Sequence, residues 1–320
     1  QPSNLPFEPD PKKSTQDRFT LINSAYSPST LFLTIPADTT VRQPLWLVHI
    51  QSESTPLLLP RTVITLEQNS SAQIIESYLY LPTQKQSLEQ PGYSGAIATT
   101  NIQIQASSRL NYYAMQNWSS QTLSFHYLWA QVESESYFDL GLSQTGSRLH
   151  KWFAQTKLNG KGAESRLHGL SLGNKNNIHD LETEKIHPAP HTQSNLNFKS
   201  AESQRSFFNF SGLLRMEKSA AYSSANQVNK NLILNKKARA HTTPKLEILV
   251  DEVQCAHGAT VGDVDQEAIH YLTSRGVSPD QAQNLIVTGF LGDIVEQAPI
   301  ALARQLLHGQ LAKALQNSGL

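Results

Sequence analysis

From about Thr20 to Val253 the chain shows almost no helical period. Short runs instead alternate apolar and polar residues, the signature of strands with one face buried. Leu31-Phe32-Leu33-Thr34-Ile35 is one such run and Leu45-Trp46-Leu47-Val48-His49-Ile50 another. Others are Ser77 to Leu81, Ile102 to Ile104, Leu110 to Met115, Leu123 to Val132, Phe207 to Met216 and Leu246 to Val250. Gly, Asn or Ser clusters separate them. A succession of this kind suits a sandwich, a propeller or a solenoid. Two features favour the solenoid: the runs recur without clear two-residue hairpin turns, and polar residues gather with asparagine, as in Asn226 to Asn235, which suits stacked parallel rungs. The repeat is too irregular for its rungs to be counted from the sequence.

The pattern changes at Gly262. Asp263 to Ser274 carries Val264, Ala268, Ile269 and Leu272 on one helical face, and Gly276 supplies a stop. Ser278-Pro279-Asp280-Gln281 opens a second helix: Ser278 caps, Pro279 fits the first turn and Gln281 completes a capping box. Its face includes Ala282, Leu285, Ile286, Phe290 and Ile294. Pro299 interrupts, and a third helix runs to about Leu315. The expected organisation is a polar, proline-rich tail over residues 1–20, a mainly β core over 21–261, and a helical module over 262–320.

Composition narrows the function. Among 320 residues, Lys+Arg and Asp+Glu are both 26, so no basic excess marks a nucleic-acid binder. The nearest approach, Lys230 with Lys236, Lys237 and Arg239, reads as a solvated turn region. Only 16% of residues are charged while Ser, Thr, Asn and Gln abound, which fits a β-rich chain. Cys255 is the only cysteine, so no internal disulfide can form, and a reducing, cytoplasmic setting is expected. No apolar run reaches the roughly 18 residues of a membrane span.

Several blocks carry a family resemblance. Val228-Asn229-Lys230-Asn231-Leu232-Ile233-Leu234 precedes Thr243-Pro244-Lys245-Leu246-Glu247-Ile248, and then comes Asp251-Glu252-Val253-Gln254-Cys255-Ala256-His257-Gly258-Ala259-Thr260-Val261-Gly262. Tyr271-Leu272-Thr273-Ser274-Arg275-Gly276 follows; upstream stand His187-Pro188-Ala189-Pro190-His191-Thr192-Gln193-Ser194 and Phe208-Asn209-Phe210-Ser211-Gly212. Together they resemble the SufB/SufD family of iron–sulfur cluster assembly proteins, and the Cys-x-His variant is closer to its SufD branch. The match spans roughly Gly160 to Glu296; residues 20–160 agree only in character. The resemblance implies a right-handed parallel β-helix (solenoid) followed by a small C-terminal α-helical module that docks an ATPase. It further implies a scaffold subunit, without catalysis of its own, in a complex with a SufB-like subunit and the SufC-like ATPase; a homodimer is the option in isolation. Family members usually carry a helical segment before the β-helix, and none is evident here.

Cys255 and His257 stand two apart. If the strand at Leu246 to Val253 continues through them, both side chains face one side. Thiolate and imidazole suit iron, but a cluster commonly takes four ligands. The remaining ligands must then come from a partner chain, giving a transient iron–sulfur cluster or iron site at a subunit interface. The bland alternative is a buried small hydrophobe beside a hydrogen-bonded histidine. Leu246 and Ile248 are expected to pair with a partner's rungs by edge addition, and Leu285 and Phe290 to face the ATPase.

Other candidates read as structural. His187 and His191 are separated by Pro188 and Pro190, which forbid a helix, so they belong to a turn between rungs. Glu182, Glu184 and Lys185 read as a solvated strand face, and Trp46, Trp118, Trp129 and Trp152 as packing residues. The sequence has no phosphate-loop signature and no Gly-x-Ser-x-Gly or Cys-x-x-Cys motif. With no Gly-x-Gly-x-x-Gly opening a βα unit, a flavin in the complex would bind by other means. A β-solenoid carbohydrate-active protein is the alternative class; it needs paired carboxylates, and the carboxylates here are scattered.

Overall fold

The computed structural model describes residues 18–317 except 53 and 82–93. Most of the expected tail therefore lies outside the described residues. A short helix α1 (Arg18–Tyr26) leads into seventeen strands: β1 (Leu31–Ile35), β2 (Leu45–Gln51), β3 (Leu57–Leu58), β4 (Arg61–Leu66), β5 (Ser71–Tyr80), β6 (Ser94–Ile104), β7 (Arg109–Asn117), β8 (Thr122–Val132) and β9 (Tyr137–Gln144). Then come β10 (Leu149–Leu158), β11 (Glu164–Gly173), β12 (Ile178–His187), β13 (Gln193–Glu202), β14 (Phe207–Met216), β15 (Ser224–Ile233), β16 (Arg239–Ile248) and β17 (Gln254–Asp263). Three helices follow: α2 (Gln266–Ser274), α3 (Pro279–Gln297) and α4 (Ala301–Asn317).

The strands wind into a parallel β-solenoid. The even-numbered strands from β4 onward, with β1, build one sheet ending at β16; β2 and the odd-numbered strands from β5 onward build the other, ending at β17. Every ladder is parallel, so no strand is joined to its sequence neighbour by a hairpin. Asn159-Gly160 has hairpin-turn composition, yet here it links β10 to β11 in opposite sheets.

Alternation along each strand makes the core. In β10, His150, Trp152, Ala154, Thr156 and Leu158 are buried while their neighbours are half-exposed. In-register stacking turns each inward position into a column: Ala154 lies under Leu128 and over Thr183. The middle columns are apolar, with Leu128, Leu140, Trp152, Leu167, Leu181, Leu196, Phe198 and Phe210 in one continuous cluster. The columns beside the turns carry polar residues, and two of their histidines are satisfied locally: His179 bonds Ser171 Oγ at 2.7 Å and Gly146 O at 2.8 Å, and His187 bonds Thr192 and Ser194 at 2.8 Å each. His187 ends β12 and His191 lies in the following turn, as the prolines required.

One row of turns repeats a left-handed residue once per rung: Asp38, Asn69, Ser107, Glu135, Gly162, His191 and Tyr222 all have positive φ. This conformation aims the N–H along the stack; His191 N donates to Ala221 O at 3.0 Å and Tyr222 N to Glu252 O at 2.6 Å. Non-glycine residues at φ > 0 pay a steric cost, offset here by that hydrogen bond to the next rung.

The helices lie against the coil. Ser278 caps α3, with Gln281 completing the capping box and Pro279 in the first turn. Val287, Leu291, Ile294 and Val295 of α3 pack with Leu170, Leu172 and Ala201 on the outer face of the sheet that ends in β17. Lys199 of β13 fastens this contact, donating to Phe290 O at 2.8 Å and Asp293 Oδ1 at 2.6 Å. By contrast α2 has no buried residue. The helix α1 was not foreseen, because its one buried side chain is polar: Asn23 donates to Pro60 O and Ile97 O and accepts from Thr99, while Phe19 stacks on Phe125 of β8. No described helix is long and apolar enough to cross a membrane.

Candidate functional site

Cys255 and His257 lie on β17, the last strand of its sheet. The expected continuous strand from Leu246 does not exist. β16 ends at Ile248, the chain turns through 249–253, and β17 begins in the opposite sheet. The turn is fixed by backbone bonds, with Leu249 N donating to Met216 O and Gln254 N to Ser223 O. The two side chains nevertheless share a face, because spacing of two on one strand preserves parity. In register, Cys255 continues the column of Ser165, Ser194 and Ala225, and His257 that of Leu167, Leu196 and Gln227.

These columns are buried until the last rung. Ala225 and Gln227 are buried, whereas Cys255 is half-buried and His257 exposed, because no further rung among the described residues covers β17. The same holds across the coil. Leu246 and Ile248 continue the inward columns of Leu214 and Met216, yet Leu246 is half-buried and Ile248 is 44% exposed. The structure thus brings Cys255, His257, Leu246 and Ile248 together on one uncovered end. Cys255 and Leu246 belong to one apolar cluster with Leu214, Met216, Ala220, Ala225, Val250 and Val253. Burial there pushes the Cys255 thiol above its ordinary pKa, favouring the neutral form. Cys255 also lines a groove of about 610 Å³ along the starts of β11, β13, β15 and β17, beside Ser165, Arg166 and Ser194. Among the described residues no group of three or more His, Cys, Asp or Glu side chains is placed to hold a metal. Cys255 and His257 are thus joined by no third side chain of these types there.

Of the two helical candidates, Leu285 is 55% exposed, while Phe290 is half-buried, packs toward the coil and lies 4.7 Å from Lys199 Nζ at its ring centroid.

Several buried ionisable residues escaped the sequence reading. Lys185 is not on a solvated face: it points inward at 2% exposure and donates to Thr156 and Ser165. Burial holds its pKa down at about 7, tempered by Asp139. Glu182 and Glu184 do face outward, where they meet Lys151 and Gln155. Alternation from buried Leu181 marks Lys185 as inward, but the charge run obscured that parity. Glu202 is wholly buried and pushed up to about 8 by burial, with Ser206 and Ser200 moderating. Glu76 behaves oppositely. Burial alone would raise it, yet the hydrogen bond and charge of His49, with bonds from Tyr112 and Thr62, hold it below its ordinary value. Trp118, Trp129 and Trp152 are buried, whereas Trp46 is 46% exposed.

Comparison with known proteins identifies the coil. The family described as "SUF system FeS cluster assembly, SufBD core domain" matches residues 48–290. The chain belongs to that family. An iron–sulfur cluster assembly SufBD family protein of Synechocystis sp. is 26% identical over 296 residues, covering 91% of this chain and 64% of that protein. SufD of Escherichia coli is 28% identical over 258 residues, covering 79% and 59% respectively. SufB of Bacillus subtilis is 25% identical over 292 residues, covering 91% and 61%. This chain thus spans less than two-thirds of the length of these relatives. The SufBD core covers the coil from within β2 to within α3, so the uncovered end and its four residues fall inside it.

Proposed function

We propose that this SufBD-family chain is a SufD-like scaffold subunit on which iron–sulfur clusters are assembled at an interface with a second, SufB-like subunit. The observation that carries the reading is the uncovered last rung. Its strand edges and inward columns end without a cap among the described residues, and exposed terminal edges invite pairing with another chain. Leu246 and Ile248 supply the apolar contact, and Cys255 and His257 the soft and borderline donors. The cluster or iron is cargo, held jointly with ligands from the partner. The thiol is kept neutral by its apolar surroundings, so metal arrival must displace its proton. The helical module, with Leu285 exposed on α3 and Phe290 anchoring that helix to the coil, would dock a SufC-like ATPase, and catalysis of nucleotide hydrolysis would belong to that chain. A lone cysteine fits a reducing, cytoplasmic setting.

The test is co-expression of the tagged chain with SufB and SufC from the same source. An assembly containing all three is expected, and His257→Ala should leave it intact while lowering the iron and acid-labile sulfide it carries. Lysines at Leu246 and Ile248 should abolish co-purification. A chain that stays alone, or an assembly indifferent to both sets of changes, would overturn the reading.

A further inference from the structure

At the far ends of the strands that line the Cys255 groove, the turns stack into a second row. Residues 174–177 join β11 to β12, 203–206 join β13 to β14, and 234–238 join β15 to β16. Their backbones are in direct contact along the stack: Arg205 N donates to Lys175 O at 2.9 Å, Leu234 N to Glu202 O at 2.9 Å, and Arg239 N to Ser206 O at 3.1 Å. The last turn is further fixed by Asn235 Oδ1, which accepts from Lys237 N and Ala238 N. Each turn therefore presents its side chains at a set height.

Those side chains are cationic. Lys175, Arg205, Lys236 and Lys237 are all exposed, and together with Asn176 and Asn235 they line one groove of about 710 Å³ that no carboxylate lines. None of the four forms an ion pair among the described residues. The sheet faces differ, since cations there meet acids on neighbouring strands: Lys151 pairs with Asp180 and Glu182, and Arg215 with Glu217 and Glu247. Sequence inspection grouped Lys236 and Lys237 with Lys230 and Arg239 as a solvated turn. The coil regroups them with Arg205 and Lys175, which lie one and two rungs away respectively.

We propose that this groove binds a small polyphosphate anion of the size of a nucleoside di- or triphosphate. Like charges held close together repel, and a multivalent anion relieves several of those repulsions at once. Rungs are about 4.8 Å apart, so the cations spread over roughly 10 Å. A single phosphate would reach only some of them, whereas a short chain of linked phosphates bridges neighbouring rungs. Arg205 offers a planar, bidentate fork to phosphoryl oxygens, and the lysines act as point charges around it. The volume lies in the usual small-ligand range of about 300–1,000 Å³. The amides of Asn176 and Asn235 are the groups placed to hydrogen-bond an attached sugar or base. This site is separate from the Cys255 end and does not depend on the scaffold reading.

The full chain should be titrated calorimetrically with ATP and with inorganic tripolyphosphate, at low and at physiological salt. Both are expected to bind, more weakly as salt rises. ATP binding more tightly would assign the nucleoside a contact; equal binding would assign recognition to the phosphates alone. Arg205→Ala and the double change Lys175→Ala with Lys236→Ala should each weaken both by about tenfold or more. Lys218→Ala, exposed in the opposite row of turns, should leave binding unchanged. The altered positions are exposed, so unchanged melting temperatures will show that the fold persists. Absence of binding by either probe would overturn the proposal, as would an equal loss in Lys218→Ala. So would a DNA or RNA duplex that binds more tightly than both probes and responds to the same substitutions.

Discussion

The middle rungs and the last rung are built from the same parts and differ in one respect. Around β10 to β13 every inward side chain has a neighbour above and below, so even His179, Lys185 and Glu202 are enclosed. On β16 and β17 the inward positions have a neighbour on one side only, and Ile248 and His257 reach solvent. The same column position is thus structural in the middle and available at the end. Where the coil stops, positions that are core elsewhere become surface.

That contrast can be broken most directly by truncation. Trp152→Ala removes a fully buried ring from the middle of the core and should cost about 3–5 kcal/mol by chemical denaturation. A cost below about 1 kcal/mol would mean that the middle is as loose as the end.

Ionisable groups sharpen the contrast. Glu202 has its folded pKa raised from 4.5 to about 8, so its contribution is fully present below about pH 4.5 and is lost as pH rises through 8. Glu202→Gln, which mimics the neutral acid, should stabilise the fold by roughly 3 kcal/mol at pH 7 and by nothing near pH 4. His179 has the opposite sense. Its folded pKa is depressed to about 4 by burial, so its stability is fully present above about 6.5 and is lost as pH falls towards 4. Since Gly146 O can only accept, Nε2 carries the proton and Nδ1 accepts from Ser171, a fixed neutral tautomer. His179→Gln should flatten the acid limb of the stability curve by about one proton, a difference of roughly 3 kcal/mol between pH 6.5 and 4. An unchanged slope would place His179 in contact with water.

The end should be forgiving by comparison. Leu246→Ala, on a half-buried position, is expected to cost about 1 kcal/mol or less in the isolated chain. Leu285→Ala, 55% exposed, should stay within about 0.5 kcal/mol. A large loss at either would mean that the isolated chain is already capped by contacts from its own residues.

The strands were legible because alternation survives in each: the run at Leu31 to Ile35 coincides with β1, and Leu123 to Val132 lies inside β8. The rung was not, because the step between stacked residues drifts. Leu123 to Leu149 is 26 residues, Leu149 to Ile178 is 29, and Phe207 to Arg239 is 32. Turns of unequal length absorb the difference, so a fixed-period search finds no repeat. The break after Ile248 was hidden for another reason. Val250 and Val253 continue an apolar spacing, but they do so in a turn that packs beneath the core. Cys255 and His257 share a face although the strand from Leu246 does not continue through them, because a spacing of two keeps its parity wherever the strand begins. Their position at an uncovered end depends on where the coil stops, which no local pattern records. The groove of Lys175, Arg205, Lys236 and Lys237 was unreadable for a related cause: its members are neighbours only once the winding is known.

In-register stacking has a consequence for the length of the molecule. Leu123, Leu149 and Ile178 occupy one column, so the segment 149–177 amounts to one complete circuit of the chain. Excising it, or copying it, would shift everything downstream by one storey while leaving each remaining strand a partner at the correct height. Size in such a molecule is quantised, and the distance between its two ends can be altered by editing whole storeys without redesigning either end.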